Sequence, residues 1–482
     1  MDKNQIAQVA NQIQEREDLL SLLNKIRKDI VGDNGSESKF FPFTMKHLLY
    51  YCNPNHTFHR YTQFKIKKKS GGFRLITSPR NSSYMFLLQS LNELLKSMYT
   101  PAQSAMGFTE GRSVVTNANV HKGQNYVFNL DLKDFFPSIE QPRIWKRLQL
   151  APFNFPSSIA NVIAGLCSMK ETRTDTTGND VVTYVLPQGA PTSPIITNMI
   201  CDTLDRRLLG LSKRFGLRYT RYADDITFSS MHYVYAKDGV FRKELTRIIE
   251  SQGFTINEAK TRLQKLGSRQ EVTGIIVSDK LNVSKKYIRN IRNLLYIWER
   301  YGYSVAMSRF LPKYRADKGH VKKGTPNLIN VLDGKLMYLK MVKGEFDSVY
   351  VRLHDKFQEL VKRDFGAEKT NSLGITYIDT KPLLEFEKEM QTTISFQHKK
   401  NEKRAASFLI EGITHCASVN KNVTPDSEQQ KEKLSISNCQ NEKGEQFWLI
   451  HLVDKKTVFK SKPVDIDELN KDLDSLLNTY NG

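Results

Sequence analysis

Apolar residues recur at helical spacing from the start of the chain. Ile6, Val9, Ile13, Leu19, Leu20, Leu23 and Ile26 predict helix over residues 3–30. The Gly-, Asp-, Asn- and Ser-rich run at 31–38 ends it. Residues 43–52 predict a second, short helix. Strands Tyr61–Ile66 and Phe73–Ile76 flank a basic turn holding Gly71 and Gly72, which predicts a hairpin. Residues 83–99 return to a strong amphipathic helical period. Residues 125–139 begin as a buried strand and turn at Pro137, and 141–170 predict helix. Residues 178–194 predict a strand running into a turn with two prolines, followed by helix over 195–215. Residues 217–230 predict two strands joined by a tight turn, and 241–253 a helix stopped by Gly253. Residues 261–279 are strand-like, 283–302 predict a basic helix, 313–325 a basic loop, and 327–342 another helix. Near the end, 446–453 and 457–459 predict a hairpin and Ile466–Tyr480 a final helix.

Composition narrows the class. At roughly 150 residues per domain, 482 residues predict about three domains or subdomains. With 39% apolar and 10% aromatic residues the chain can bury ordinary cores, which excludes a disordered polymer. No run approaches the ~18 consecutive apolar residues of a membrane span, and the first residues lack the apolar core of a signal peptide. The five cysteines are scattered without a CxxC pair, against a disulfide framework or zinc ribbon and in keeping with a reducing cytoplasm.

The formal net charge of +21 points to a polyanionic partner. It is unevenly spread: residues 366–482 carry 16 Lys or Arg against 18 Asp or Glu, so the whole excess belongs to residues 1–365. This predicts a basic nucleic-acid-binding body and a separate, nearly neutral tail domain.

Candidate chemistry centres on Tyr222-Ala223-Asp224-Asp225. Two adjacent carboxylates between apolar strands are costly near a core unless a turn projects them. Neighbouring strand residues point to opposite faces, so one of the pair faces a given site more directly. A second acidic strand end, Phe128 to Asp134, contributes Asp131. Beside the Tyr222–Asp225 hairpin it would complete an oxygen-only cluster suited to Mg²⁺ or Mn²⁺.

These motifs, in this order, resemble a reverse transcriptase. Lys68-Lys69-Ser70-Gly71-Gly72-Phe73-Arg74 resembles the fingers hairpin over the incoming triphosphate. Asp131 to Phe136 resembles the first acidic motif, and Leu186 to Pro194 the template and nucleotide contact motif. Tyr222–Asp225 resembles the catalytic hairpin, and Asn257 to Thr261 the motif after it. Asn117-Ala118-Asn119-Val120-His121 and Val272-Thr273-Gly274 match the Asn-Ala-x-x-His and Val-Thr-Gly signatures of retron reverse transcriptases.

The resemblance implies an α+β right-hand polymerase: fingers, a palm with an antiparallel sheet, and a helical thumb. The expected division is a helical region at 1–60, fingers and palm at 61–270, an RNA-binding thumb at 271–365, and a small α+β tail domain at 366–482 that docks an effector. It implies two Mg²⁺ ions, with Mn²⁺ as the alternative, held by Asp131, Asp224, Asp225 and the Leu132 carbonyl. Asp131 and Asp224 are expected as the most direct ligands. Arg74 and one of Lys67, Lys68 or Lys69 (Lys68 is favoured) would grip the deoxynucleoside triphosphate. Phe136 would pack under the sugar and exclude a ribose, Gln188 and Gly189 would lie by nucleotide and template, and Lys260 would protonate pyrophosphate. Asn117, His121, Val272, Thr273 and Gly274 are implied RNA contacts or supports. Lys285, Arg289 and Arg292 share one helix face by spacing, suited to RNA phosphates.

The implied activity is RNA-directed DNA synthesis on a cognate structured noncoding RNA in the bacterial cytoplasm. It would be primed from a guanosine 2′-hydroxyl to give branched RNA–DNA, and would serve antiphage defence with an effector protein. The alternatives are a group II intron-type or other bacterial reverse transcriptase, and an RNA-holding antitoxin scaffold. Intron-type enzymes often add a Cys/His metal-spaced region, which this sequence lacks.

Overall fold

The computed structural model describes residues 1–366 apart from 33–40, 68–70, 175–177 and 319–325, and beyond them the backbone of five short strands. The chain forms two compact units, Met1–Asn282 and Val283–Gly482.

In the first unit, α1 (Lys3–Ala10) starts at a capping box in which Asp2 and Gln5 satisfy each other's backbone amides. The single helix expected over 3–30 is two, because the Asp18 carboxylate accepts from the amides of Gln14 and Glu15 and restarts the chain as α2 (Arg16–Gly32). After α3 (Met45–Cys52) and α4 (Thr57–Arg60), strands β1 (Tyr61–Lys67) and β2 (Phe73–Pro79) pair antiparallel from Tyr61↔Pro79 to Lys67↔Phe73. Asn81 caps α5 (Ser82–Met98), whose Leu87, Leu88, Leu91, Leu94 and Leu95 are buried. The short α6 (Val114–Val120) follows, capped by Ser113.

The central sheet begins with β3 (Tyr126–Asp131), in which Val127, Phe128 and Leu130 are all buried. Helices α7 (Gln141–Leu148) and α8 (Ser157–Cys167) occupy the predicted helical stretch, split by a segment containing Pro152 and Pro156. A hairpin of β4 (Met169–Thr174) and β5 (Asp180–Val185) precedes the long α9 (Ser193–Arg214). Strands β6 (Arg218–Tyr222) and β7 (Asp225–Ser230), then α10 (Val240–Ser251) and β8 (Arg262–Lys265), complete the layer. The strand order is β6-β7-β3-β8, antiparallel throughout. This is the antiparallel palm-type sheet that the sequence predicts. One contiguous apolar core reaches from Ile6 to Phe254 and includes Phe128, Tyr219, Phe228 and Phe241.

The strand-like run at 261–279 is three strands, not one. Beyond β8, β9 (Glu271–Val272), β10 (Ile275–Val277) and β11 (Leu281–Asn282) form a separate small sheet with β10 in the middle.

The second unit holds α11 (Lys285–Tyr301), α12 (Tyr303–Lys318), α13 (Leu328–Lys343) and α14 (Ser348–Phe365). Fully buried Trp298 packs edge-on against Tyr303, Phe357 and Phe365 and donates to Asp364 at 2.7 Å. Helix α12 replaces the first part of the loop expected at 313–325, through Lys318; residues 319–325 lie outside the described residues. Pro312 lies inside α12, after a turn that buries Val305, Ala306, Met307 and Phe310. Packing thereby overrides a helix breaker. In the tail, β12 (Lys369–Thr370) pairs with β13 (Thr376–Tyr377), and β14 (Leu434–Gln440), β15 (Gln446–Leu452) and β16 (Thr457–Lys460) form a three-stranded sheet. The β15–β16 pair is the expected hairpin; the helix expected at 466–480 lies outside the described residues. No helix among the described residues is long and apolar enough to cross a membrane.

Candidate active site

The turn between β6 and β7 is Ala223-Asp224. Ala223 alone takes a positive φ (57°), the sign pattern of the two-residue II′ turn that suits a twisted hairpin. Asp131, the last residue of β3, pairs directly with Asp225, the first of β7. Opposed residues in an antiparallel pair share a face, so the register brings Asp225 to Asp131 more closely than alternation along one strand predicts. The Leu132 amide donates to the Asp224 carbonyl at 3.0 Å and ties the two strand ends together. All three carboxylates therefore gather at one end of the central sheet.

Crowding and burial govern their ionisation. Burial first, then Asp224 and Asp131, push the Asp225 carboxyl up to about 7. Burial and the Asp131 charge raise Asp224 as well, while Lys260 and Arg74 pull it back. Arg74 itself is exposed on β2, and its charge reaches Asp224. The Lys260 ammonium donates to both Asp131 oxygens, at 2.9 and 3.1 Å. Asn257, singled out only as part of the motif around Lys260, donates from its backbone to the Asp131 carbonyl at 2.8 Å and from its amide to Oδ1 at 3.3 Å.

Among the described residues no three acidic, His or Cys side chains already stand as a closed metal cage. The donor set nonetheless fits a hard divalent cation. It is all oxygen, anionic, and held together against its own repulsion, which a cation relieves.

Phe136 is half-buried against the core, its ring 5.5 Å from Phe135 and 6.4 Å from Phe108. The Gln188 carbonyl accepts from the Thr77 amide at 2.8 Å, which fixes β2 to the turn before α9. A Cβ on Gly189 would stand 2.8 Å from the Thr77 carbonyl oxygen and 2.9 Å from Ile76 Cγ2, and its φ is +127°. Glycine is thus required there twice over, by space and by backbone. Of the three lysines from which one triphosphate contact is expected, Lys67 ends β1, while Lys68, the favoured one, and Lys69 lie outside the described residues, as does Ser70.

The support beneath the turn was not among the residues expected from sequence. Arg221, fully buried, donates to Asp205 Oδ1 and Oδ2 at 2.8 and 2.7 Å, to Asn198 Oδ1 at 3.1 Å and to the Ala223 carbonyl at 3.2 Å. Tyr219 donates to the same Asp205 at 2.7 Å. The signal was present: an arginine within a strand of buried neighbours, and an aspartate within an apolar helix, each need a partner.

For His121 and Asn117, burial favours support of the fold over the alternative of direct RNA contact. His121 is fully buried, with its ring nitrogens 2.7 Å from the hydroxyls of Ser229 and Thr220, and burial lowers its pKa to about 3. It locks the end of α6 to the central sheet and offers RNA no surface. Asn117 is buried too, and its Nδ2 donates to Thr273 Oγ1 at 3.3 Å. The Asn-Ala-x-x-His and Val-Thr-Gly segments, far apart in sequence, thus meet. Val272 is buried, Thr273 and Gly274 form the β9–β10 turn with φ of 46° and 85°, and Gly274 is exposed at its tip. Lys285, Arg289 and Arg292 are all exposed on α11 in the second unit.

A family model described as reverse transcriptase (RNA-dependent DNA polymerase) matches residues 66–284. The retron Mx65 reverse transcriptase of Myxococcus xanthus is 35% identical over 299 residues, covering 61% of this chain and 64% of that protein. The retron Mx162 reverse transcriptase of the same organism is 36% identical over 45% of this chain and 47% of that protein. The retron Ec86 reverse transcriptase of Escherichia coli is 33% identical over 48% of this chain and 68% of that protein. The chain thus spans less than two thirds of the first two relatives and slightly more than two thirds of the third.

Proposed function

The chain belongs to the retron reverse transcriptases, and from that membership we propose that it is an RNA-directed DNA polymerase that copies a cognate structured noncoding RNA. The observation that carries this reading is the convergence of Asp131, Asp224 and Asp225 at one sheet end, with the charge of Arg74 reaching Asp224.

Asp131, Asp224 and Asp225, with the Leu132 carbonyl, would hold two Mg²⁺ ions. The chemistry such ions supply is activation of the attacking hydroxyl and stabilisation of the leaving pyrophosphate. Arg74, with Lys68, binds the triphosphate of the incoming deoxynucleotide through planar and point-charge contacts respectively. Phe136 lies under the sugar. Gln188 and Gly189 border nucleotide and template, where the absent side chain of Gly189 lets backbone come close. Asn257 orients Asp131, and Lys260 carries an ammonium proton beside it for the departing pyrophosphate.

Family membership extends the proposal. Priming is from a guanosine 2′-hydroxyl, giving DNA joined to RNA through a 2′,5′ linkage. Residues 271–365 act as an RNA-gripping thumb, residues 366–482 dock an effector, and the assembly works in the bacterial cytoplasm against phage.

The test is recovery of nucleic acid bound to the full chain from expressing cells. The wild type should yield single-stranded DNA covalently joined to RNA, shortened but not abolished by RNase. Asp224→Asn should yield the RNA with DNA reduced at least about a hundredfold, since several kcal/mol of charge stabilisation are lost. Unbranched RNA alone from the wild type would sink the retron-type reaction. An Asp225→Asn variant with undiminished biological effect would favour the RNA-holding scaffold instead.

A further inference from the structure

Phe108 is an aromatic residue whose position neither local propensity nor burial explains. Its φ is +61°, a left-handed conformation that a bulky side chain adopts only under strain. Yet 42% of it is exposed, so packing does not offset the strain in the usual way.

The backbone around it is heavily anchored. The amides of Met106 and Gly107 donate to the Arg221 carbonyl at 2.7 and 3.4 Å. Asn198 Nδ2 donates to the Gly107 carbonyl at 3.1 Å, and Thr109 Oγ1 donates to the Ala105 carbonyl at 2.9 Å. Arg112 donates to the carbonyls of Ala102 and Ala105. Gly107 lies so close to the catalytic turn that a Cβ there would stand 2.6 Å from the Ala223 amide nitrogen. The loop is thus pinned to the same turn that carries Asp224. What it presents from that position is the Phe108 ring, tilted 54° to Phe136 with 6.4 Å between centroids. That separation is within the range of a favourable aromatic pair. Strain held in place by surrounding structure is characteristic of functional positions.

We infer that Phe108 is a positioning residue for sugar selection: it braces the Phe136 ring, so that a ribose 2′-hydroxyl meets a wall that does not yield. The inference rests on the proposed role of Phe136 under the nucleotide sugar and adds a second residue to it.

The test is single-nucleotide extension of a DNA primer on an RNA template by the full-length protein, comparing kcat/KM for a deoxynucleotide and its ribonucleotide. Phe108→Asn removes the ring while keeping a residue that tolerates positive φ. Phe108→Gly, which takes that φ freely, is the second variant, and melting curves report whether each is folded. Both should lower the deoxy-to-ribo preference by about tenfold, the scale on which one apolar group in a pocket discriminates, while Phe108→Tyr keeps the preference. Phe136→Ala should relax it further, and Phe108→Asn added to Phe136→Ala should change nothing more. Selectivity preserved in Phe108→Asn and Phe108→Gly while Phe136→Ala relaxes it overturns the role of Phe108 alone. Multiplicative effects in the double variant overturn its action through Phe136. Selectivity unmoved by Phe136→Ala removes the sugar-site reading and this inference with it.

Discussion

His121 shows how burial sets the role of a single side chain. Both ring nitrogens lie against hydroxyls inside the first unit, and burial, reinforced by the Arg218 charge, lowers its pKa to about 3 from an ordinary 6.5. The unfolded chain takes up this proton at a higher pH than the folded chain does. The stabilisation from keeping His121 neutral is therefore complete above pH 6.5 and lost as pH falls towards about 3. Urea unfolding across that window should show a flatter dependence of stability on pH for His121→Gln than for the wild type. Identical slopes would mean that His121 is not the buried neutral group described. The acidic residues were legible from sequence because carboxylates between apolar strands are costly unless they serve a site or a turn. The interior position of His121 was not, since spacing places it on a helix face without saying what covers that face.

Among the secondary-structure elements, the close approach of β2 to the turn before α9 is the one on which the proposed nucleotide contacts depend. The Thr77–Gln188 hydrogen bond and the missing side chain of Gly189 make that approach possible. Gly189→Ala should force the two segments apart, raise KM for the deoxynucleotide, and destabilise the fold by about 1–3 kcal/mol, the usual cost of overpacking. Steady-state kinetics with thermal melting check it; an unaltered KM and melting temperature would show that the two segments are not held in contact. Hairpins and amphipathic helices were legible because their periods are local. The small β9–β10–β11 sheet and α12 were not. The first depends on a Thr273-Gly274 turn supported by Asn117 from a remote segment, the second on burial that overrides Pro312.

For the whole molecule, the charge excess lies within residues 1–365 and spans both compact units. In the second unit, Lys285, Arg289 and Arg292 form an exposed basic row on α11. Replacing all three with Gln should weaken binding of the cognate RNA and lower the slope of log affinity against log salt by about one for each phosphate no longer neutralised. A salt titration checks this; an unchanged slope would remove α11 from the RNA-binding surface. By itself the sequence determined the ordered acidic motifs, the family they belong to, the helix and strand periods that carry them, and the uneven spread of charge between residues 1–365 and 366–482. These are local or additive properties of the chain. Tertiary structure alone decided that Asp225 faces Asp131 across β3 and β7, that Arg221 and Asp205 lie beneath the β6–β7 turn, that Asn117 meets Thr273, and that Phe108 stands against Phe136. Each of these joins segments remote in sequence, and the partner of a buried polar group or a strained turn is fixed only when the chain closes on itself.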